Sequence, residues 1–143
     1  MSVVVVTGTR SLVDSPARAL IKSHFIRMIE VLNPVVVHHG GAIGPDSWAC
    51  DAFQEIQRMH RPVKTDNRMD AIQALFARNK SMVDLAEDQA WTLREKAVMV
   101  ACWDGTSRGS KDASDYAQSK GLHVVWVPVT LCEAYVACQI ARG

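Results

Sequence analysis

VVVHHGGAIGPDSWACDAF, residues 35–53, decides the fold. Val35 to Val37 is a short β-branched run that suits a strand buried in a parallel sheet. A glycine turn follows, and from Ser47 to Met59 the residues Trp48, Ala49, Ala52, Phe53 and Ile56 share one helical face. Strand, tight turn, helix is half of a parallel crossover.

The same unit recurs on either side. Upstream, Val3 to Val6 is a second β-branched run closed by Thr7 and Gly8. Pro16 then opens a helix, with Ala17, Leu20, Ile21, Phe25, Met28 and Ile29 at helical spacing as far as Asn33-Pro34. Downstream, Pro62-Val63 reads as a weak strand and Asp70 to Ala90 as an interrupted helix. Ala97 to Trp103 reads as a strong strand, Ser110 to Lys120 as a helix closed by Gly121, Leu122 to Val127 as a strand, and Thr130 to Arg142 as a last helix. Strands alternating with helices require a mostly parallel sheet covered on both faces. The expectation is a single domain over residues 1–143, a Rossmann-like three-layer αβα fold with about five strands.

Composition sets limits on partners. With 48% apolar and 22% charged residues and a formal net charge of +1, the chain has a globular composition and no global field to draw it onto nucleic acid or an anionic membrane. The opening MSVVVVTGTR has no basic leader, and no stretch reaches transmembrane length, so a cytoplasmic protein without a membrane partner is expected. The four cysteines, Cys50, Cys102, Cys132 and Cys138, form no CxxC pair and read mostly as packed thiols.

In a parallel sheet the ligand is collected by loops after the carboxyl ends of the strands. Here those loops are TGTR, HHGGAIGPD and WDGTSRGS. All are built from Gly, Ser and Thr, and each leads to a helix N-terminus, where unpaired N–H groups and the helix dipole favour an anion. In the second loop Gly40, Gly41 and Gly44 permit close backbone approach, and Asp46 is placed to cap the helix. Thr106, Ser107 and Ser110 offer hydroxyls in the third, with Arg108 as a charge.

The strings VTGTR, HGGAIGPDSWA, RNKSMVD and VACWDGTSRGSKDASDYAQSKG, in that order, resemble the SLOG superfamily of Rossmann-like nucleotide-binding domains, and most closely its small YpsA-related branch. The likeness spans residues 3–128. It implies a pocket for a nucleotide or nucleotide-derived ligand, held as by a sensor or sequestering module. Carried over by motif, it nominates Gly8, Thr9 and Arg10, then Gly40, Gly41, Gly44 and Asp46. It also nominates Arg78 and Asn79, and Gly105, Thr106, Ser107, Gly109 and Ser110. A homo-oligomer is also implied, for which Trp126, Val136 and Ile140 offer an apolar patch.

The chain departs from the superfamily's LOG phosphoribohydrolases, whose PGGxGTxxE loop carries a glutamate for N-glycosidic cleavage. That position falls on Ala113, and Asp112 would point about 100° away around a helix. Catalytic candidates are then Asp46, Asp104 and Arg78, with Asp14 a third loop carboxylate. A nucleotide N-glycosidase is the alternative to a binding module. Single-stranded DNA binding, as in the DNA-processing branch, is a further alternative that the near-zero charge does not favour.

No cofactor motif is evident. His38 and His39, adjacent at a strand end, face opposite ways and do not make a metal site. Cys50 reads as packed against its apolar neighbours. Trp48, Trp91 and Trp103 read as core or interface, and Trp103, beside the third loop, is also a candidate to stack on a base or ribose.

Overall fold

The computed structural model describes residues 1–53 and 71–143. The elements in chain order are β1 (Ser2–Gly8), a 3-10 turn (Arg10–Asp14), α1 (Arg18–Val31), β2 (Pro34–His38), α2 (Pro45–Ala52), α3 (Ala71–Leu93), β3 (Lys96–Cys102), α4 (Arg108–Ser119), β4 (His123–Trp126) and α5 (Val129–Arg142). The strands form one sheet in the order β2-β1-β3-β4, and every pairing between them is parallel.

Valines make both faces of β1. Val4 and Val6 meet α1, α2 and α5 through Ile21, Phe25, Ile29, Trp48 and Cys132. Val3 and Val5 meet α3 and α4 through Met82, Val83, Ala86, Ala113 and Ala117. A strand buried on both sides has no polar face to alternate, which is why its sequence is a continuous apolar run. The result is an α/β domain of three layers, α1, α2 and α5 over the sheet with α3 and α4 beneath.

Four strands are present among the described residues, against about five expected. The expected strand at Pro62-Val63 lies outside them, as do Ile56 and Met59 of the second helix and Asp70 of the third. Helix α3 runs unbroken for 23 residues, so the expected interruption is absent. Pro16 stands in the turn before α1, and it is Pro45 that occupies a first helical turn. Trp48 is in the core, whereas Trp91 stands 86% exposed, which rules out the core half of its core-or-interface reading. Of the C-terminal apolar residues, Val136 packs against the core, leaving Trp126, Leu131, Tyr135 and Ile140 exposed. No helix among the described residues is long and apolar enough to cross a membrane.

From β1 the chain steps outward to β2, then returns past β1 to β3 and β4. The strand order therefore reverses between β1 and β3, the point at which open parallel sheets form a crevice.

Candidate functional site

A cavity of about 600 Å³ opens at that switch point. Its floor is the end of β1, from Val6 to Arg10, and its walls come from α3, from the first turn of α4 and from Ala42 and Asp46 of the second loop. Two hydrogen bonds hold the floor to β3 and its loop: Thr9 N–H donates to Cys102 O at 3.0 Å, and Asp104 N–H donates to Thr9 Oγ1 at 3.2 Å. Thr7 Oγ1 donates to the buried Ser110 Oγ at 3.3 Å, tying β1 to α4. Gly8 must lack a side chain, because a Cβ there would lie 2.3 Å from the Pro45 ring that closes α2 onto the strand.

The second loop folds differently from the expectation. Gly44, at φ +96°, is the residue that caps α2, in a conformation other residues rarely adopt. Asp46 lies one residue inside the helix and its carboxylate turns back, Oδ2 accepting from Gly40 N–H at 3.0 Å and Ala42 N–H at 3.2 Å. Gly41 N–H donates to His39 Nδ1 at 3.0 Å. Three consecutive loop N–H groups are thus already paired within the loop. This glycine segment spends its N–H groups within itself; neither α2 nor α4 carries a side-chain N-cap among the described residues, and both first turns contribute to the cavity.

At the start of α4, Ser107 makes no side-chain cap bond, so the first-turn N–H groups of Arg108, Gly109 and Ser110 are those a helix leaves without an internal acceptor. Ser107, Gly109 and Ser110 line the cavity. Asn79, 2% exposed, donates Nδ2–H to Gly109 O at 3.1 Å and sets the height of that turn against α3.

Arg78, adjacent to Asn79 on α3, lines the cavity and reaches the second loop. Its Nη1 donates to Gly40 O at 3.3 Å, and a Cβ on Gly40 would lie 2.7 Å from the guanidinium carbon, so Gly40 provides the flat seat. The Arg78 Nε is buried with no hydrogen-bond partner among the described residues. Burial, with help from Arg10, lowers the Arg78 pKa against the support of Asp46. Desolvation raises Asp46 above the usual carboxylate range, more than the Ala42 and Gly40 bonds and the charges of Arg78 and Arg10 lower it.

Asp104 has another role. Its carboxylate accepts from Thr106 N–H and Ser107 N–H, both at 2.9 Å, and from Thr106 Oγ1 at 3.1 Å. Desolvation acts to raise its pKa, but these bonds and Thr9 together bring it below the usual range. It builds the turn into α4 and does not line the cavity. Trp103 likewise fastens the loop, its Nε1–H donating to Ser107 O at 2.9 Å while its ring rests 5.8 Å from that of Trp126.

Of the residues expected from sequence, the cavity gathers Gly8, Thr9, Arg10, Asp46, Arg78, Asn79, Ser107, Gly109 and Ser110. Gly40, Gly41, Gly44, Trp103, Gly105, Thr106 and Asp14 do not line it, though Gly40 seats the Arg78 guanidinium that does. Sequence reasoning missed Thr7, Ser11, Ala42 and the apolar wall of Ala74, Leu75 and Met82. The wall had a signal: Leu75 and Met82 stand three to four residues on either side of Arg78 and Asn79, on the same helical stripe. His38 is fully buried, its Nε2 2.5 Å from Gln89 Oε1, and no metal-ligand cluster exists among the described residues.

The fold and crevice define the class: a three-layer parallel α/β domain with a pocket of mixed polar and apolar lining at its switch point. No family model, curated protein or solved structure matches the chain, so likeness to SLOG domains rests on the motifs alone.

Proposed function

We propose that the crevice binds a nucleotide or nucleotide-derived ligand, its phosphate on the first turn of α4 and its apolar portion against Leu75 and Met82, and that the protein serves as a sensor or sequestering module. The observation that carries this reading is Arg78: a guanidinium fixed on the Gly40 carbonyl at one end, with its Nε unpartnered among the described residues, in the cavity that the first turn of α4 also lines. A phosphate oxygen supplies the missing acceptor, and a guanidinium is the side chain suited to it.

Thermal-shift and calorimetric titration with ATP, AMP, NAD, ADP-ribose and cyclic nucleotides, each beside its unphosphorylated nucleoside, tests the reading. Phosphorylated ligands are expected to raise the melting temperature and nucleosides to leave it unchanged. Arg78→Ala is expected to lose about tenfold to a hundredfold in affinity, the usual cost of a charge-assisted hydrogen bond. No stabilisation by any nucleotide, with Arg78→Ala indistinguishable from wild type, refutes it.

One observation supports the hydrolytic alternative. Asp46 is a buried carboxyl in the cavity wall whose pKa burial raises, the direction a general acid requires. Release of free base from AMP or a related monophosphate, abolished by Asp46→Asn, establishes that activity; its absence leaves binding as the function. Self-association belongs with either reading, through the exposed Leu131, Tyr135 and Ile140 of α5. Sedimentation of an Ile140→Glu protein against wild type reports it.

A further inference from the structure

We infer that an anion entering the crevice places a proton on Asp46, so that binding and proton uptake are coupled; this rests on the reading of the crevice as an anion site. The inference begins from where Asp46 stands. Its carboxylate is 5% exposed, lies in the wall of the cavity, and spends Oδ2 on the N–H groups of Gly40 and Ala42. Oδ1 is outside that pair of bonds.

The charged groups that act on it are few. Arg10 comes from the loop after β1 and Arg78 from α3, and both favour the ionised form. His39, in the same loop, uses Nδ1 to accept from Gly41. From β1 and α4 the facing groups are the hydroxyls of Thr7 and Ser110, which do not titrate in this range.

A bound anion changes two of these conditions together. It expels water from the crevice, and it pairs with Arg78, cancelling part of the positive field that favours the ionised form of Asp46. It also sets a like charge across the cavity. Each change favours the neutral acid. A proton from solvent bonds to Oδ1, no other bond breaks, and Oδ2 keeps both N–H bonds. The loop therefore holds its shape while the site loses one negative charge. Ligand affinity then rises as pH falls through the interval between the free and bound pKa of Asp46, by at most about tenfold per pH unit for one proton.

Sulfate is the probe, because it carries two charges throughout the range from about pH 5 to pH 8 and does not itself titrate. Neutral sodium sulfate added to unbuffered wild-type protein in a pH-stat is expected to draw acid, up to one proton per bound ion. Its affinity, followed by amide chemical shifts, is expected to strengthen on acidification. Asp46→Asn keeps an acceptor oxygen for Gly40 and Ala42 and mimics the neutral acid. It is expected to bind sulfate with no proton uptake beyond that of the surface and no such pH dependence. Should that variant not fold, the Asp46 carboxyl carbon resonance of the wild type gives the same answer, moving toward the protonated-acid position as sulfate is added. Sulfate that binds in the crevice without proton uptake, or uptake that survives in Asp46→Asn, overturns the coupling and leaves the anion site standing. Absence of any shift around Arg78 and Gly109 at every pH overturns the anion site and the coupling together.

Discussion

Asp46, in the first turn of α2, and Asp104, in the loop after β3, have pKa values shifted in opposite directions. For Asp104, depressed below the ordinary aspartate value of 3.8, the linked stability is complete above the unfolded pKa and lost as pH falls through the folded one. Asp104→Asn is therefore expected to cost about 1 kcal/mol at neutral pH, the usual loss for a turn-capping carboxylate, with the deficit closing under acid. For Asp46, raised above 3.8, the linked stability is complete below the unfolded pKa and lost as pH rises through the folded value. Asp46→Asn is expected to gain on wild type from pH 4 upward. Urea denaturation of the three proteins over a pH series checks both signs. The sequence placed these two carboxylates in the ligand loops but could not tell them apart. Which N–H groups a side chain reaches depends on loop geometry, and Asp46 reaches backward to Gly40 while Asp104 reaches forward to Ser107.

At the scale of the element, α4 shows how a helix divides between site and core. Ser110 lines the crevice, whereas Ala113 is fully buried against α3 and the sheet. The position where a LOG-type glutamate falls thus faces packed apolar side chains. Ala113→Glu is expected to destabilise the protein by about 3–5 kcal/mol, through overpacking and an unpaired buried charge, and to create no hydrolase. A denaturation midpoint and an assay for released base measure the two halves of that statement. Helix α2 shows what was readable and what was not. That a helix begins after GGAIG was legible, but its cap was not: the sequence reading caps it at Asp46, whereas Gly44 caps it and Pro45 opens it. The close seat of Pro45 on Gly8, 37 residues away in sequence, was not legible either.

Across the whole molecule, two cores share one sheet. Phe25 is fully buried above it and Met82 nearly so below, on either side of the valines of β1. Phe25→Ala is expected to cost about 3–5 kcal/mol and Met82→Ala about 2–5 kcal/mol. Because both layers lean on the same strands, each variant is expected to unfold in a single transition by fluorescence and circular dichroism alike. Any separation of the probes would show that the two layers melt independently. The sequence by itself determined the parallel α/β architecture, since continuous β-branched runs, glycine turns and helical stripes are local patterns that physics reads locally. It also marked the loops at the strand ends. Only the tertiary structure decided which loop N–H groups remain open. Those of Gly40, Gly41 and Ala42 are consumed by Asp46 and His39, while the first turn of α4 faces Arg78 across the cavity. These bonds join residues only two to six positions apart, yet which N–H group a side chain reaches follows from the path of the folded loop, and the residue pattern does not record that path.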